Sequence, residues 1–322
     1  MTDPGDSLSA LSIENPHALP VDGPSPVICI CCRSADLRKQ SDGFQDRLTC
    51  SSCGLLTTIR SQDATADKEI ERHYREEDPH QKIADSKQAF FREAMDRINA
   101  EAGSGRRRLL DVGCSYGYFL EVARRRGWQA RGVEIVGDAV AQARRMLGEE
   151  TVFHGYLQDA KYPPGSFDAI TLWDVLCLVD DPAAEVERCF GLLADGGILC
   201  IRSRNARFQK ILHRLVQAAR TVNHGWMKKR PDVFHRFCFT PAAIQALLHR
   251  SGFVRVHIEN SPLTRGDPYE LLRRGRVLDF AKRLLFLMCR LLFCASAGRW
   301  ALGPSLLVWA RKTRAMETTL QT

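Results

Sequence analysis

The sequence predicts an α/β chain: a parallel sheet covered by helices on both faces, with a small metal-stapled module ahead of it. Three observations carry that reading. From Arg106 onward, short apolar runs alternate with segments of helical spacing. One of these runs ends in a glycine-containing turn that opens a helix. Two Cys-x-x-Cys pairs lie close together ahead of this region. At 322 residues, 44% hydrophobic and 26% charged, the chain is neither disordered throughout nor a fibrous repeat. The length suggests roughly two units at about 150 residues each. Lys and Arg outnumber Asp and Glu by 46 to 38, giving a formal charge of +8.

In chain order, residues 1–27 hold four acids, five prolines and no basic segment followed by an apolar core. They read as a disordered leader, not a secretory signal. Residues 28–60 form the cysteine module, and residues 61–104 a polar helical linker with apolar positions at Ala89, Phe90, Ala94, Met95 and Ile98. Residues 105–322 form the main domain. Strands are predicted at Leu109–Val112, Gln129–Glu134, Phe167–Trp173 and Ile198–Arg202. Helices are predicted at Tyr118–Arg126, Asp138–Leu147 and Pro182–Leu193, with Thr240-Pro241 as the N-cap and first turn of another. No run of 18 uncharged apolar residues exists, which speaks against a conventional membrane span.

Cys29-Ile-Cys-Cys32 and Cys50-Ser-Ser-Cys53 are separated by 17 residues. Each knuckle turns two thiolates to one side, and the spacing suits tetrahedral zinc at Cys29, Cys32, Cys50 and Cys53. Loose thiols are the alternative. Cys31 is either a substitute for one ligand or a bystander. Four thiolates leave no open coordination position, so the zinc ion (Zn2+) is expected to be structural.

Leu109-Leu-Asp-Val-Gly-Cys-Ser-Tyr-Gly-Tyr-Phe-Leu120 carries the strongest chemical signal. A buried strand enters a turn in which Gly113 and Gly117 let a ligand approach the backbone. The Gly-x-x-x-Gly spacing differs from the dinucleotide fingerprint, in which a pyrophosphate rests on a helix N-terminus. Seventeen residues after Gly117, Glu134 ends the next strand, placed to accept hydrogen bonds from ribose hydroxyls. The combination suggests an adenosine ligand without a diphosphate.

With these pieces, PPGSFDAITLWDVL, LLADGGIL and the later HRFCFT–PAAIQALLHRSGF, the chain resembles the class I S-adenosylmethionine-dependent methyltransferases over about residues 105–260. The resemblance implies a Rossmann-like seven-stranded sheet with a last strand at Ser305–Arg311, and S-adenosyl-L-methionine as cofactor. It implies that Asp111, Gly113, Cys114 and Gly117 hold the methionine end and Glu134 the ribose. Tyr156 and Leu157 would flank the adenine, and Trp173 and Asp174 would line the cleft. Two departures stand out. Tyr156 sits where many relatives place an acid near the adenine, and Cys177-Leu178 replaces a Glu-His pair.

Methyl transfer from a sulfonium needs alignment above all. A base is needed only for a weakly acidic acceptor. His235 and then Asp174 are the catalytic candidates, each weighed against a local packing or hydrogen-bonding role. Two basic inserts, at 204–234 and 262–304, border the cleft. Arg204–Arg230 holds eight basic residues and no acid. Arg273–Arg290 carries net +5, and its helix has a wide apolar face, read as self-packing, peripheral membrane contact through 273–292, or a dimer contact. The acceptor is expected to be an anionic small molecule, a nucleotide- or lipid-linked sugar of cell-surface glycan synthesis. An RNA methyltransferase gripping nucleic acid through the ribbon and inserts is the runner-up; the inserts hold few aromatic residues for stacking, mainly Phe208 and Trp226. A noncatalytic membrane-associated scaffold is a third reading. The expected location is cytoplasmic, or peripheral at the inner face of the membrane.

Overall fold

The structure is a computed structural model that describes residues 27–41, 46–59, 79–102, 105, 107–222, 236–262 and 276–313. His235, Trp226, most of the predicted leader and parts of both inserts lie outside the described residues.

The main sheet has seven strands: β4 (Arg108–Val112), β5 (Gln129–Glu134), β6 (Val152–His154), β7 (Phe167–Trp173), β8 (Leu193–Arg204), β10 (Phe253–Asn260) and β11 (Ser305–Lys312). Their order is β10-β11-β8-β7-β4-β5-β6. Strands β4 to β8 run parallel, while β11 lies antiparallel between β8 and β10. The parallel strands read as continuous apolar runs because helices cover both faces. Helices α2 (Tyr118–Arg125) and α3 (Gly137–Leu147) pack on one face through Phe119, Leu120, Val140 and Ala143. On the other face lie α4 (Pro182–Leu192), through Val186 and Cys189, and α6 (Pro241–Arg250), through Ile244, Leu247 and Leu248. Both α4 and α6 start with a side-chain cap followed by proline: Asp181 accepts from Ala183 and Ala184 N–H, and Thr240 from Ala243 N–H.

Two parts of the predicted organisation change. Helix α1 (Pro79–Ala102) falls in the stretch read as a linker, yet it buries Phe90, Phe91, Ala94, Met95 and Ile98 against the sheet. Its polar side is tied down as well: Arg97 pairs with Glu259 and stacks 4.1 Å over the Trp309 ring, and Arg311 reaches Glu101. The helix is a wall of the main domain. The apolar spacing at Phe90–Ile98 had marked a buried face, and the surrounding charges obscured it.

The cysteine module is also less separate than its composition suggests. Its strands β1 (Leu37–Ser41), β2 (Asp46–Cys50) and β3 (Leu56–Thr58) form an antiparallel sheet completed by β9 (Phe237–Cys238) from the main domain. Leu56 pairs with Cys238 and Thr57 with Phe237. The Thr240 hydroxyl donates to the Cys53 carbonyl, and Arg250 donates to the Ile30 and Cys31 carbonyls at 2.7 and 2.8 Å. At Gly54 a Cβ would stand 2.9 Å from Thr240 Cγ2, so a larger residue there would push the module off α6. A sheet with such short strands cannot close its own core, and Cys29, Cys53 and Leu55 join the core of the main domain instead.

Helix α5 (Ala206–Val222) leaves the end of β8, and α7 (Arg276–Ala295) precedes β11. Of the three readings for α7, self-packing accounts for little of its face. Cys289 is buried, but Phe280, Leu284, Leu285, Leu287, Met288, Leu291 and Leu292 are exposed, Phe280 at 68%. Among the described residues, no helix is long and apolar enough to cross a membrane.

Candidate active site

The glycine loop connects β4 to α2 at the C-terminal edge of the sheet, where open α/β sheets bind their ligands. Gly113 (φ +68°) and Gly117 (φ +78°, the N-cap of α2) take the left-handed conformation that favours glycine. A Cβ on Gly113 would lie 2.4 Å from Val175 Cγ2. Gly113 and Cys114 N–H groups both donate to the Val133 carbonyl, at 2.8 and 3.1 Å, which ties the loop to β5.

Glu134 ends β5 and is buried. Its Oε2 accepts from Ser115 N–H at 2.8 Å, and its Oε1 from Ile135 and Val136 N–H at 2.8 and 3.0 Å. Burial raises its pKa, and these three N–H groups offset only part of that rise. The carboxylate therefore holds the glycine loop and keeps lone-pair capacity on Oε2 for a hydroxyl. Asp111 is buried one strand away and accepts from the Thr171 hydroxyl at 2.6 Å. Burial pushes its pKa up to about 8. Its place below the loop is that of a shaping residue.

The other expected cofactor residues fall into three groups. Tyr156 and Leu157 follow β6 beside Glu134; Tyr156 is half-exposed and Leu157 buried. Cys114 belongs to the loop, but its side chain turns into the core toward Gly132, where a Cβ would stand 2.4 Å from Sγ. Only its backbone is open to a ligand role. Trp173 is covered by α1. It is 6% exposed, with the Phe90 and Phe119 rings edge-on at 5.1 and 5.0 Å. Its sequence position at a strand end suggested the cleft, but α1 covers it.

Asp174 opens the turn after β7 with φ +65°. Its Oδ2 lies 3.2 Å from Lys87 Nζ and 2.7 Å from Arg202 Nη1. Burial alone would raise its pKa. The Arg202 and Lys87 cations outweigh burial and hold the carboxyl well below the usual range. A carboxylate so strongly favoured in its ionised form is a poor proton acceptor, so the expected role of Asp174 as a base does not fit this geometry. Lys87 and Arg202 went unread in the sequence. Arg202, charged at the end of the apolar strand Ile198–Ile201, was the available signal.

Buried side-chain atoms without a hydrogen-bond partner among the described residues are Thr49 Oγ1, Trp173 Nε1, Asp174 Oδ1 and Ser203 Oγ. Three of these four lie at the ends of β7 and β8, the neighbouring strands of the ligand edge. Beside this edge, β9 closes in: Phe237 N–H donates to the Cys177 carbonyl at 3.1 Å, and Arg236 pairs with Asp180.

The sulfurs of Cys29, Cys32, Cys50 and Cys53 all lie within 4.8 Å of one another, with Cys29–Cys53 and Cys32–Cys50 at 3.5 Å. Thiolates around zinc at about 2.3 Å would stand about 3.8 Å apart, so the donor set fits that ion. Cys31 is outside the cluster. The four sulfurs close the set without it, which leaves Cys31 the bystander.

The strand order, the glycine cradle and the acid at the end of β5 define a class I S-adenosylmethionine-dependent methyltransferase. A family described as a methyltransferase domain matches residues 74–258, more than half of the chain, and the chain belongs to that family. The match takes in α1. The ubiquinone biosynthesis O-methyltransferase of Psychrobacter arcticus is 29% identical over 177 residues, 52% of this chain and 67% of that protein. The protein of the same name from Xanthomonas campestris pv. campestris (strain B100) is 34% identical over 116 residues, 34% of this chain and 48% of its own length. The chain thus spans about half of that second relative. In fold, the chain is similar to a solved S-adenosylmethionine-dependent methyltransferase from Thermotoga maritima, with a TM-score of 0.50 and 16% identity over 77% of this chain and all of the other.

Proposed function

We propose that this methyltransferase acts on an anionic small-molecule acceptor, and that the atom methylated is a hydroxyl oxygen. The observation that carries this reading is the charge at the acceptor side of the ligand edge. Helix α5 leaves the end of β8 with Arg204, Arg207 and Lys210, and the stretch to Arg230 contains no acid. Burial, and then Arg214, lower the Lys210 pKa, as expected where positive charge is crowded. The hydroxyl is supported by the O-methyltransferase names of the relatives. A nucleotide- or lipid-linked sugar remains the lead acceptor.

S-adenosylmethionine, when bound, supplies an activated methyl group. The chain supplies alignment, worth up to about 7–11 kcal/mol in a displacement of this kind. Gly113 and Gly117 leave room for the methionine end, and Glu134 Oε2 orients the ribose. His235 is the proposed base, one residue before Arg236, whose carbonyl accepts Thr58 N–H at 2.9 Å. Metabolite profiling of a deletion strain tests the reading. The expected result is an acidic metabolite lighter by one methyl group. Unmethylated RNA with unchanged metabolites would favour the nucleic-acid reading instead.

The exposed face of α7 supports reversible docking at the cytoplasmic face of an anionic membrane. Arg283 and Arg290 are exposed beside its leucines, and each cation near such a surface adds about 1 kcal/mol. Sedimentation with anionic liposomes at low salt should pellet the protein, and Leu284→Asp should release it. Equal partitioning of both proteins would remove the lipid contact.

A further inference from the structure

Two cations of distant origin meet on a single carboxylate oxygen at the acceptor side of the sheet. Lys87 comes from α1 and Arg202 from the end of β8, and both reach Asp174 Oδ2. The other oxygen, Oδ1, is buried without a hydrogen-bond partner among the described residues. The three side chains are 14%, 11% and 16% exposed, in the order Lys87, Arg202, Asp174.

The cluster is held rigidly. Arg202 Nε donates to Ser261 Oγ at 3.0 Å, and its guanidinium lies 5.2 Å over the Phe90 ring. Asp174 N–H donates to the Arg202 carbonyl at 2.9 Å, and the Cys177 thiol donates to the Asp174 carbonyl at 3.2 Å. These bonds keep Asp174 in its left-handed conformation. Charge is not balanced. Burial lowers the Lys87 pKa, Asp174 opposes that, and Arg202 adds to the lowering. Two cations on one carboxylate leave an excess positive charge in a mostly buried place, which an anion would relieve. An unpartnered Oδ1 has the opposite need, a hydrogen-bond donor.

We propose that Lys87, Asp174 and Arg202 form the acceptor subsite, recognising a hydroxyl that stands next to an anionic group. The anion, a phosphate or carboxylate, faces Lys87 and Arg202. The neighbouring hydroxyl donates to Asp174 Oδ1, which orients it without taking its proton. The position assigns the cluster to the acceptor. It stands at the ends of β7 and β8 and is braced by Ser261 after β10, whereas Glu134 and Tyr156 stand on the β5–β6 side. The inference rests on the anionic-acceptor reading and gives it residues.

The test uses the full-length protein saturated with S-adenosylhomocysteine and titrated calorimetrically with three probes. Glycerol 3-phosphate offers both groups, propyl phosphate lacks the hydroxyl, and glycerol lacks the anion. The wild type should prefer glycerol 3-phosphate to either other probe. Lys87→Met should weaken that binding about tenfold or more, and Lys87→Arg should restore most of it. Affinity for S-adenosylhomocysteine should stay within about twofold in both variants, which also certifies their folding.

Three results would overturn the subsite. If Lys87→Met weakens S-adenosylhomocysteine but not its decarboxylated analogue, the cluster serves the cofactor carboxylate. If the wild type binds glycerol 3-phosphate and Lys87→Met changes nothing, the anion sits elsewhere; the subsite falls and the anionic-acceptor reading stands. If the wild type does not distinguish glycerol 3-phosphate from glycerol, the subsite falls, and the metabolite profile decides the broader reading separately.

Discussion

The two sides of the ligand edge are built from different materials. On the β4–β5 side the site is backbone: two left-handed glycines, a row of N–H groups and one carboxylate that gathers three of them. On the β7–β8 side it is side chain: a lysine, an aspartate and an arginine from three separate stretches of sequence, with β9 pinned alongside. A backbone-built site suits a constant ligand, because its geometry survives changes in most side chains. A side-chain-built site can be retuned by single substitutions, as a variable acceptor requires. On the proposed assignment, one sheet keeps its cofactor recognition fixed and its acceptor recognition adjustable.

Gly113→Ala should break the contrast most severely. The methyl group would enter the space of Val175 in a left-handed backbone, costing roughly 1–2 kcal/mol for the conformation and about 1–3 kcal/mol for the overlap. Expected outcomes are a lower denaturation midpoint and loss of S-adenosylhomocysteine binding by about 100-fold. Wild-type affinity in calorimetry would show that the loop is not a tight cradle.

Cys53→Ser tests whether the acceptor side depends on the ribbon. We expect one zinc per wild-type chain by elemental analysis and little in the variant. Structural zinc supplies about 10–16 kcal/mol of folding energy in small modules, so β1–β3 should loosen. Because β3 pairs with β9, hydrogen exchange should accelerate at Thr58, whose N–H donates to the Arg236 carbonyl, and at Cys238, which stands opposite Leu56, while Phe237, whose N–H donates to the Cys177 carbonyl, stays protected. S-adenosylhomocysteine affinity should stay within about threefold, since the N–H groups that Glu134 gathers come from Ser115, Ile135 and Val136 and not from the ribbon. Unchanged exchange at Cys238 would mean that β9 is held by the main domain alone.

The most gradual effect expected is a pH slope. Unfolded, Asp111 loses its proton near pH 3.9; folded, it keeps the proton to about pH 8. Between those values the unfolded chain binds fewer protons, so stability falls as pH rises, by at most roughly 1.4 kcal/mol per pH unit from this group. Below that window the contribution is fully present; above it, it is gone. Asp111→Asn should remove this share of the slope in urea denaturation series at several pH values. An identical slope in the variant would mean that Asp111 is ionised in the fold.

What could be read in advance follows the same division. Leu109–Leu120 and Arg131–Glu134 announce themselves because backbone sites require particular residues at fixed local spacing. The two Cys-x-x-Cys knuckles do so for the same reason. Lys87 could not be read, because nothing in its own helix signals a partner 87 positions away. The burial of Trp173 could not be read from its strand-end position, because the helix that covers it, α1, lies far earlier in the chain, at Phe90 and Phe91. The acidity of Asp174 could not be read either, since it is set by cations from α1 and β8. Strand β9 is two residues long, too short for any periodicity to show.

That short strand has a consequence for the order of folding. The ribbon emerges from the ribosome early, yet the last strand of its sheet, and Thr240 and Arg250 that brace it, emerge only after most of the main domain has been made. Pairing so distant in sequence carries a heavy loop-closure cost and forms slowly. During synthesis the cysteines therefore wait with the outer edge of β3 unpaired, at a stage when thiols are most open to oxidation and strand edges to mispairing. Early capture of a metal ion would guard the nascent chain through that interval, a service to biogenesis distinct from any in the finished enzyme.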